Sequence, residues 1–133
     1  MNPHLFVDGS LLSTAGHPAG ERLARAARRI AEASLQGRLY SISWYPGLVE
    51  RDAEDQRVYG EVYRLHDAAR SLQWLDAYEG LTVGGPHHGE YARRERPVRL
   101  TCGTMMRTWV YLYLQDVSGL QPLPGGRWVR GAR

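Results

Sequence analysis

Glu79 occupies a position where a soluble helix should carry an apolar side chain, in the run Leu75-Asp76-Ala77-Tyr78-Glu79-Gly80. If Asp67 caps a helix that Gly80 ends, about 3.6 residues per turn places Ala68, Leu72, Leu75 and Glu79 on one stripe. A stripe of that kind faces the core or a pocket. A carboxylate there is pushed toward neutrality twice, by partial desolvation and by the negative end of the helix dipole. Such a glutamate can accept and return a proton near neutral pH, the property a general acid or base needs. A frayed last turn would instead send Glu79 into water, and the helix pattern leaves both placements open.

Other chemically suggestive groupings are weaker. His87 and His88 with Glu90 contain metal-ligand types, but adjacent histidines in a Gly-Gly-Pro loop point different ways and no third ligand has matching spacing, so no metal is expected. Ser10, His17 and Asp8 supply the letters of a hydrolase triad without the Gly-x-Ser-x-Gly turn that gives such letters geometry. Cys102 is the lone cysteine. It excludes an internal disulfide, fits a reducing cytosol, and is expected to be a small buried hydrophobe within a strand. No phosphate-loop or dinucleotide fingerprint occurs.

With 133 residues, 43% of them hydrophobic and 23% charged, the chain is expected to form one domain over residues 1–133 with a single core. No apolar run approaches the roughly 18 to 20 residues needed to cross a bilayer, so no membrane partner is expected. Met1-Asn2-Pro3-His4 offers no basic region and Leu5-Phe6-Val7 stops at Asp8, which argues against a secretory signal and for a cytoplasmic location. The formal net charge is +3, and all 17 basic residues are arginine. Arg22, Arg25, Arg28 and Arg29 lie opposite Leu23, Ala26, Ala27 and Ile30, as on an amphipathic helix with a solvated basic face. Nucleic-acid binding would require a stronger stripe with interleaved aromatics, and is not expected.

The elements that must position Glu79 follow from periodicity. A short strand at 5–7 leads into a Gly/Ser/Pro/His-rich loop reaching residue 20, then an Arg-faced helix at 21–33. A strand at 37–44 is broken by a turn at 45–48, an acidic loop covers 50–54, and 57–65 alternates as a strand does. After the Glu79 helix come a loop at 82–89, strands near 90–101 and 107–115, and a Pro/Gly-rich tail. Strands outnumber helices and no βαβ unit recurs. The fold class expected is α+β, a sheet curling around a core with two helices against it.

Four segments, taken in order, resemble the gamma-glutamylcyclotransferase-like superfamily, especially its small bacterial and AIG2-like members. They are Leu5-Phe6-Val7-Asp8-Gly9-Ser10-Leu11; Gly37-Arg38-Leu39-Tyr40 with Tyr45-Pro46-Gly47-Leu48; Gly60-Glu61-Val62-Tyr63 with the Glu79 run; and Tyr91-Ala92-Arg93 with Trp109-Val110-Tyr111. The resemblance spans nearly the whole chain. It implies a small, mostly antiparallel barrel with flanking helices, and a small-molecule substrate bearing a γ-glutamyl group. The implied reaction needs no cofactor or metal: the substrate's α-amine attacks its own side-chain carbonyl, giving 5-oxoproline and a free amine. Glu79 would take the proton from the α-ammonium and pass it to the leaving amine. The turn Gly9-Ser10-Leu11 can offer successive backbone N–H groups to an anionic substrate group. Tyr45 and Tyr91 could wall the pocket, or serve as ordinary core or rim residues.

One position departs from the family, whose members usually carry Tyr where this chain has Asp8. A carboxylate about 4 Å from a bound carboxylate would cost on the order of 4 kcal/mol at an effective dielectric near 20, enough to weaken binding nearly a thousandfold. Three arrangements accommodate Asp8: its side chain points away, it meets a cationic substrate group, or the pocket has lost turnover. The last gives the alternative function, a non-catalytic small-molecule-binding or regulatory domain of the same fold.

Overall fold

The computed structural model describes residues 1–52, 55–80 and 90–129. Its elements in chain order are β1 (His4–Val7), α1 (Pro18–Ala26), β2 (Ala27–Ser41), β3 (Pro46–Glu50), β4 (Arg57–Leu65), α2 (Ala68–Tyr78), β5 (Tyr91–Leu100) and β6 (Met105–Tyr113), followed by a short 3-10 turn at Pro124–Gly126. The six strands form one sheet in the order β3-β2-β4-β1-β6-β5, and β5 also pairs with β2 through Ala33 with Leu100 and Ser34 with Arg99. That last pairing closes β2-β4-β1-β6-β5 into a barrel and leaves β3 hanging on β2 as an edge. Only β1 and β6 run parallel, through Leu5 and Trp109; the remaining pairs are antiparallel. The architecture is the small α+β fold expected.

Strand alternation divides the apolar residues into two cores. Phe6, Val58, Val62, Val98 and Val110 come from four strands and pack together inside the barrel. Their neighbours Leu5, Val7, Tyr63 and Tyr111 point the opposite way and meet Leu23 of α1 with Leu72 and Leu75 of α2. A period of two in the strands thus supplies a barrel filling and a helix-facing layer from the same residues.

Three local expectations are corrected. The helix at 21–33 ends at Ala26, and Arg28 and Arg29 belong to β2, so the four arginines do not share one helix face. Ala27 to Gln36 pair continuously with β4 apart from one bulge between Arg29 and Ala31, and this long ladder overrides the local helical periodicity. The turn expected at 45–48 is mostly strand: Pro46–Glu50 pairs with β2, with Pro46 at the first position of an edge strand, where its missing N–H costs no ladder bond. Cys102 is exposed in the β5–β6 turn and not buried in a strand. The loop at 82–89, with His87 and His88, lies outside the described residues, as do parts of the acidic loop and the tail.

The long loop after β1 is tied to the barrel by Glu61, only 6% exposed. Its carboxylate accepts from the Ser13 backbone N–H at 2.8 Å, the Ser13 hydroxyl at 2.5 Å and Arg29 Nε at 2.9 Å. Burial alone would raise its pKa, but these donors hold it below the usual glutamate value. Its stabilising contribution is therefore present above the unfolded-state pKa and is lost as pH falls through the folded one. Replacing Glu61 with Gln, which cannot satisfy all three donors, should lower stability by about 1–3 kcal/mol in urea titrations at pH 7, with less difference from wild type near pH 3.

Candidate functional site

The C-terminal end of α2 is built as its sequence demands. Asp67 caps the start, accepting from the Arg70 N–H at 3.2 Å, and Gly80, at φ +81, ends it. Leu72 and Leu75 are buried, and Glu79 at the C-cap continues their stripe. Asp76, three residues earlier, anchors this end to the sheet, accepting from Arg93 Nε at 2.8 Å and Nη2 at 3.2 Å and from the Tyr111 hydroxyl at 2.6 Å. The frayed placement is thereby excluded.

Glu79 lines a cavity of about 360 Å³ formed where the β1–α1 turn, the β2–β3 turn, the end of α2 and the start of β5 converge. Asp8, Gly9, Ser10, Leu11, Tyr45 and Tyr91 line the same cavity. The structure therefore brings together every residue the sequence singled out for the site. Gly9, Ser10 and Leu11 are buried, and their amide N–H groups find no acceptor among the described residues; Gly9 C=O accepts from the Leu12 N–H at 2.9 Å, closing the turn. Buried amides without acceptors are rare in folded proteins and mark a place where a ligand can accept.

The tyrosines are held as neutral donors. Tyr45 donates to Glu90 Oε1 at 2.8 Å, and burial followed by this bond pushes its pKa up to about 12. Tyr91 donates to the Pro46 carbonyl at 3.1 Å and burial carries its pKa well above the ordinary value. Tyr45 and Tyr91 are thus fixed walls of the cavity.

The electrostatics are one-sided. Asp8, Glu79 and Glu90 all line the cavity, and no arginine does among the described residues. Burial pushes Asp8 up to about 7. Burial, then the charges of Asp8, Glu90 and Asp76, push Glu79 up to about 8. Both residues keep partial exposure, as they must if a ligand is to reach them through the mouth. The charge of Asp8 acts on both Glu79 and Tyr91 within the cavity, which speaks against the arrangement in which its side chain points away.

Sequence reasoning missed the mouth. Trp44, 52% exposed, stacks on His17 with ring centroids 5.5 Å apart, and His17 meets the edge of Tyr78 at 5.9 Å. Tyr78 also shares a 2.5 Å hydrogen bond with the Ser10 hydroxyl, linking α2 to the Gly9 turn. His17 caps α1, its Nδ1 accepting from the Ala19 N–H at 3.1 Å. The loop at 13–20 that carries His17, a tyrosine adjoining Glu79 and a tryptophan at a turn were the available signals, and none carries a direction in sequence. No cluster of three His, Cys, Asp or Glu able to hold a metal occurs among the described residues.

Comparison with known proteins places this arrangement. The sequence profile of a family described as gamma-glutamyl cyclotransferase, AIG2-like, matches residues 5–130. Among solved structures, the protein ytfP from Escherichia coli is similar at 31% identity and a TM-score of 0.65, covering 95% of this chain and 96% of its own. An AIG2-like protein from Mus musculus superposes with a TM-score of 0.69 at 21% identity, covering 98% of each chain. YkqA from Bacillus subtilis gives 0.70 at 22% identity over 96% of this chain, which spans only 40% of YkqA. No curated protein matches the sequence.

Proposed function

The chain belongs to the gamma-glutamyl cyclotransferase, AIG2-like family, and from that premise we propose that it releases 5-oxoproline and an amine from a γ-glutamyl amide. The observation that carries the proposal is the convergence, in one cavity, of a glutamate with a raised pKa and a buried turn whose amides have no acceptor among the described residues. The amides of Gly9, Ser10 and Leu11 receive the substrate's α-carboxylate, with Gly9 letting the backbone approach. Glu79 removes a proton from the α-ammonium, freeing the nitrogen to attack the γ-carbonyl carbon, and returns a proton to the leaving nitrogen as the old C–N bond breaks. Tyr45 and Tyr91 pack along the substrate. In this reading residues 1–133 form one cytoplasmic domain that works without metal or cofactor.

Incubation with a panel of γ-glutamyl amides, with 5-oxoproline measured by chromatography, tests the reading; release from at least one conjugate is expected. A second reading, a non-catalytic binding domain of the same fold, is favoured by Asp8, which lines the cavity with no cationic partner among the described residues. Saturable binding of γ-glutamyl compounds with no 5-oxoproline from any of them would select it.

A further inference from the structure

Asp8 and Glu79 face one small cavity, and neither carboxyl has a hydrogen bond or ion pair to a described residue. We propose that they act as a pair sharing one proton, with Asp8 as a second acid/base group beside Glu79. The inference rests on the cyclotransferase reading and adds to it a residue at which this chain departs from its family.

Every charged group that lines the cavity among the described residues is a carboxylate. Glu90 from the start of β5 lines the cavity, and Asp76 on α2 raises the Glu79 pKa despite its own pairing with Arg93 and Tyr111. Tyr45, Tyr91 and Tyr111 hold their protons through neutral pH, and Tyr78 too is shifted upward, so the ring hydroxyls add no charge. Two carboxylates in such a space, with no cation among the described lining residues to offset them, do not both ionise at neutral pH, and one proton remains between them. The pair then carries one negative charge, which the incoming α-ammonium balances. The pair therefore repels the substrate's α-carboxylate with one charge instead of two.

The reaction uses what a singly protonated pair supplies. Going from an α-ammonium and an amide to a lactam and a free ammonium takes two protons off the α-nitrogen and places two on the leaving nitrogen. With Asp8 ionised and Glu79 protonated, Asp8 takes over from Glu79 the first proton transfer, accepting a proton of the α-ammonium as its nitrogen bonds to the γ-carbonyl carbon. Glu79 donates its proton to the leaving nitrogen as the C–N bond breaks. The ring nitrogen returns its second proton to Glu79, Asp8 gives its proton to the freed amine, and the starting state is restored. Acceptor and donor are present together, which a single carboxyl cannot offer.

The test is NMR titration of protein labelled with 13C at the Asp and Glu carboxyls, for wild type, Asp8→Asn and Glu79→Gln. Two coupled carboxyl titrations between about pH 6 and 9 are expected in wild type, with that of Glu79 moving down by about one pH unit or more in Asp8→Asn. Independent titration of both groups below pH 5, or a Glu79 signal unmoved by Asp8→Asn, overturns the pair. Should Asp8→Asn fail to fold, the wild-type titration decides alone. The pH profile of 5-oxoproline release gives a second readout: kcat/KM should be bell-shaped in wild type, with Asp8 setting the acid limb and protonated Glu79 the alkaline one, whereas Asp8→Asn should show only an acid limb, now set by Glu79 working alone as the base, with kcat reduced tenfold or more. A merely structural Asp8 would scale the profile without changing its shape, and turnover that rises in Asp8→Asn or Asp8→Tyr also overturns the proposal. Because the titration needs no substrate, a wild type that makes no 5-oxoproline defeats the proposed function separately from the shared proton.

Discussion

Glu79→Gln should abolish measurable 5-oxoproline release, lowering kcat by about 10²- to 10⁴-fold, while making the protein more stable above neutral pH. The two effects share one cause. In the folded state burial and neighbouring carboxylates hold the Glu79 pKa at about 8, against 4.5 for an unperturbed glutamate. Between those values the unfolded chain has shed the proton and the folded one retains it, so this group lowers stability as pH rises and its penalty is complete above pH 8. Glutamine keeps the shape and removes the titration. The variant should therefore match wild type near pH 4 and gain on the order of 2 kcal/mol near pH 8, the full linkage value being reduced by the partial exposure of the residue. For a chain of this size the gain corresponds to several degrees in Tm. Thermal melts at both pH values, run beside the activity assay, check the prediction. Lost activity with no pH-dependent gain would mean that Glu79 is not held in a desolvated site, and retained activity would remove it from the mechanism. Stability forgone at a functional carboxyl is a familiar cost of keeping it reactive.

The parts of this molecule that are legible in sequence are those specified by neighbours along the chain. The bounds of α2 follow from the Asp67 cap and Gly80, and its buried stripe from periodicity, so the residue types alone put Glu79 in line with Leu72 and Leu75. β4 is equally plain, since the sequence of Arg57–Leu65 reads as a strand and forms one over the same residues. The misread boundary at Ala27 shows the limit: Arg28, Arg29 and Ile30 continue a helical pattern, but pairing with β4 through Arg64 and Tyr63 offers more than local periodicity can. Barrel closure rests on Ala33 with Leu100 and Ser34 with Arg99, contacts between distant segments that leave no mark in either one. The same holds for the cavity mouth, where Trp44, His17 and Tyr78 come from three separate stretches. Asp8 is visible as a departure from its family, but its direction into the cavity depends on the turn that follows β1.

That turn also sets the second large effect, expected for Gly9→Ala. A Cβ at Gly9 would stand 2.8 Å from Cγ and 2.9 Å from Cδ of Pro46, closer than side-chain carbons approach in folded proteins. Pro46 has little room to retreat, because it pairs with Ser41 and its carbonyl accepts from the Tyr91 hydroxyl. The Gly9 backbone must then move, carrying with it the amides proposed to receive the α-carboxylate. Misplacement by about 1 Å at such a position costs on the order of 10²-fold in kcat/KM, and the overpacking itself about 1–3 kcal/mol of stability. The loss should appear mainly as a raised KM, since the displaced donors bind the substrate before and during reaction alike. Shortening the obstructing ring in a Gly9→Ala, Pro46→Ala double variant should restore part of the activity, giving a coupling that neither single change predicts. Wild-type kinetics in Gly9→Ala would show that the amides of this turn do not hold the substrate, and an equal loss in the single and double variants would show that contact with Pro46 is not what keeps position 9 free of a side chain.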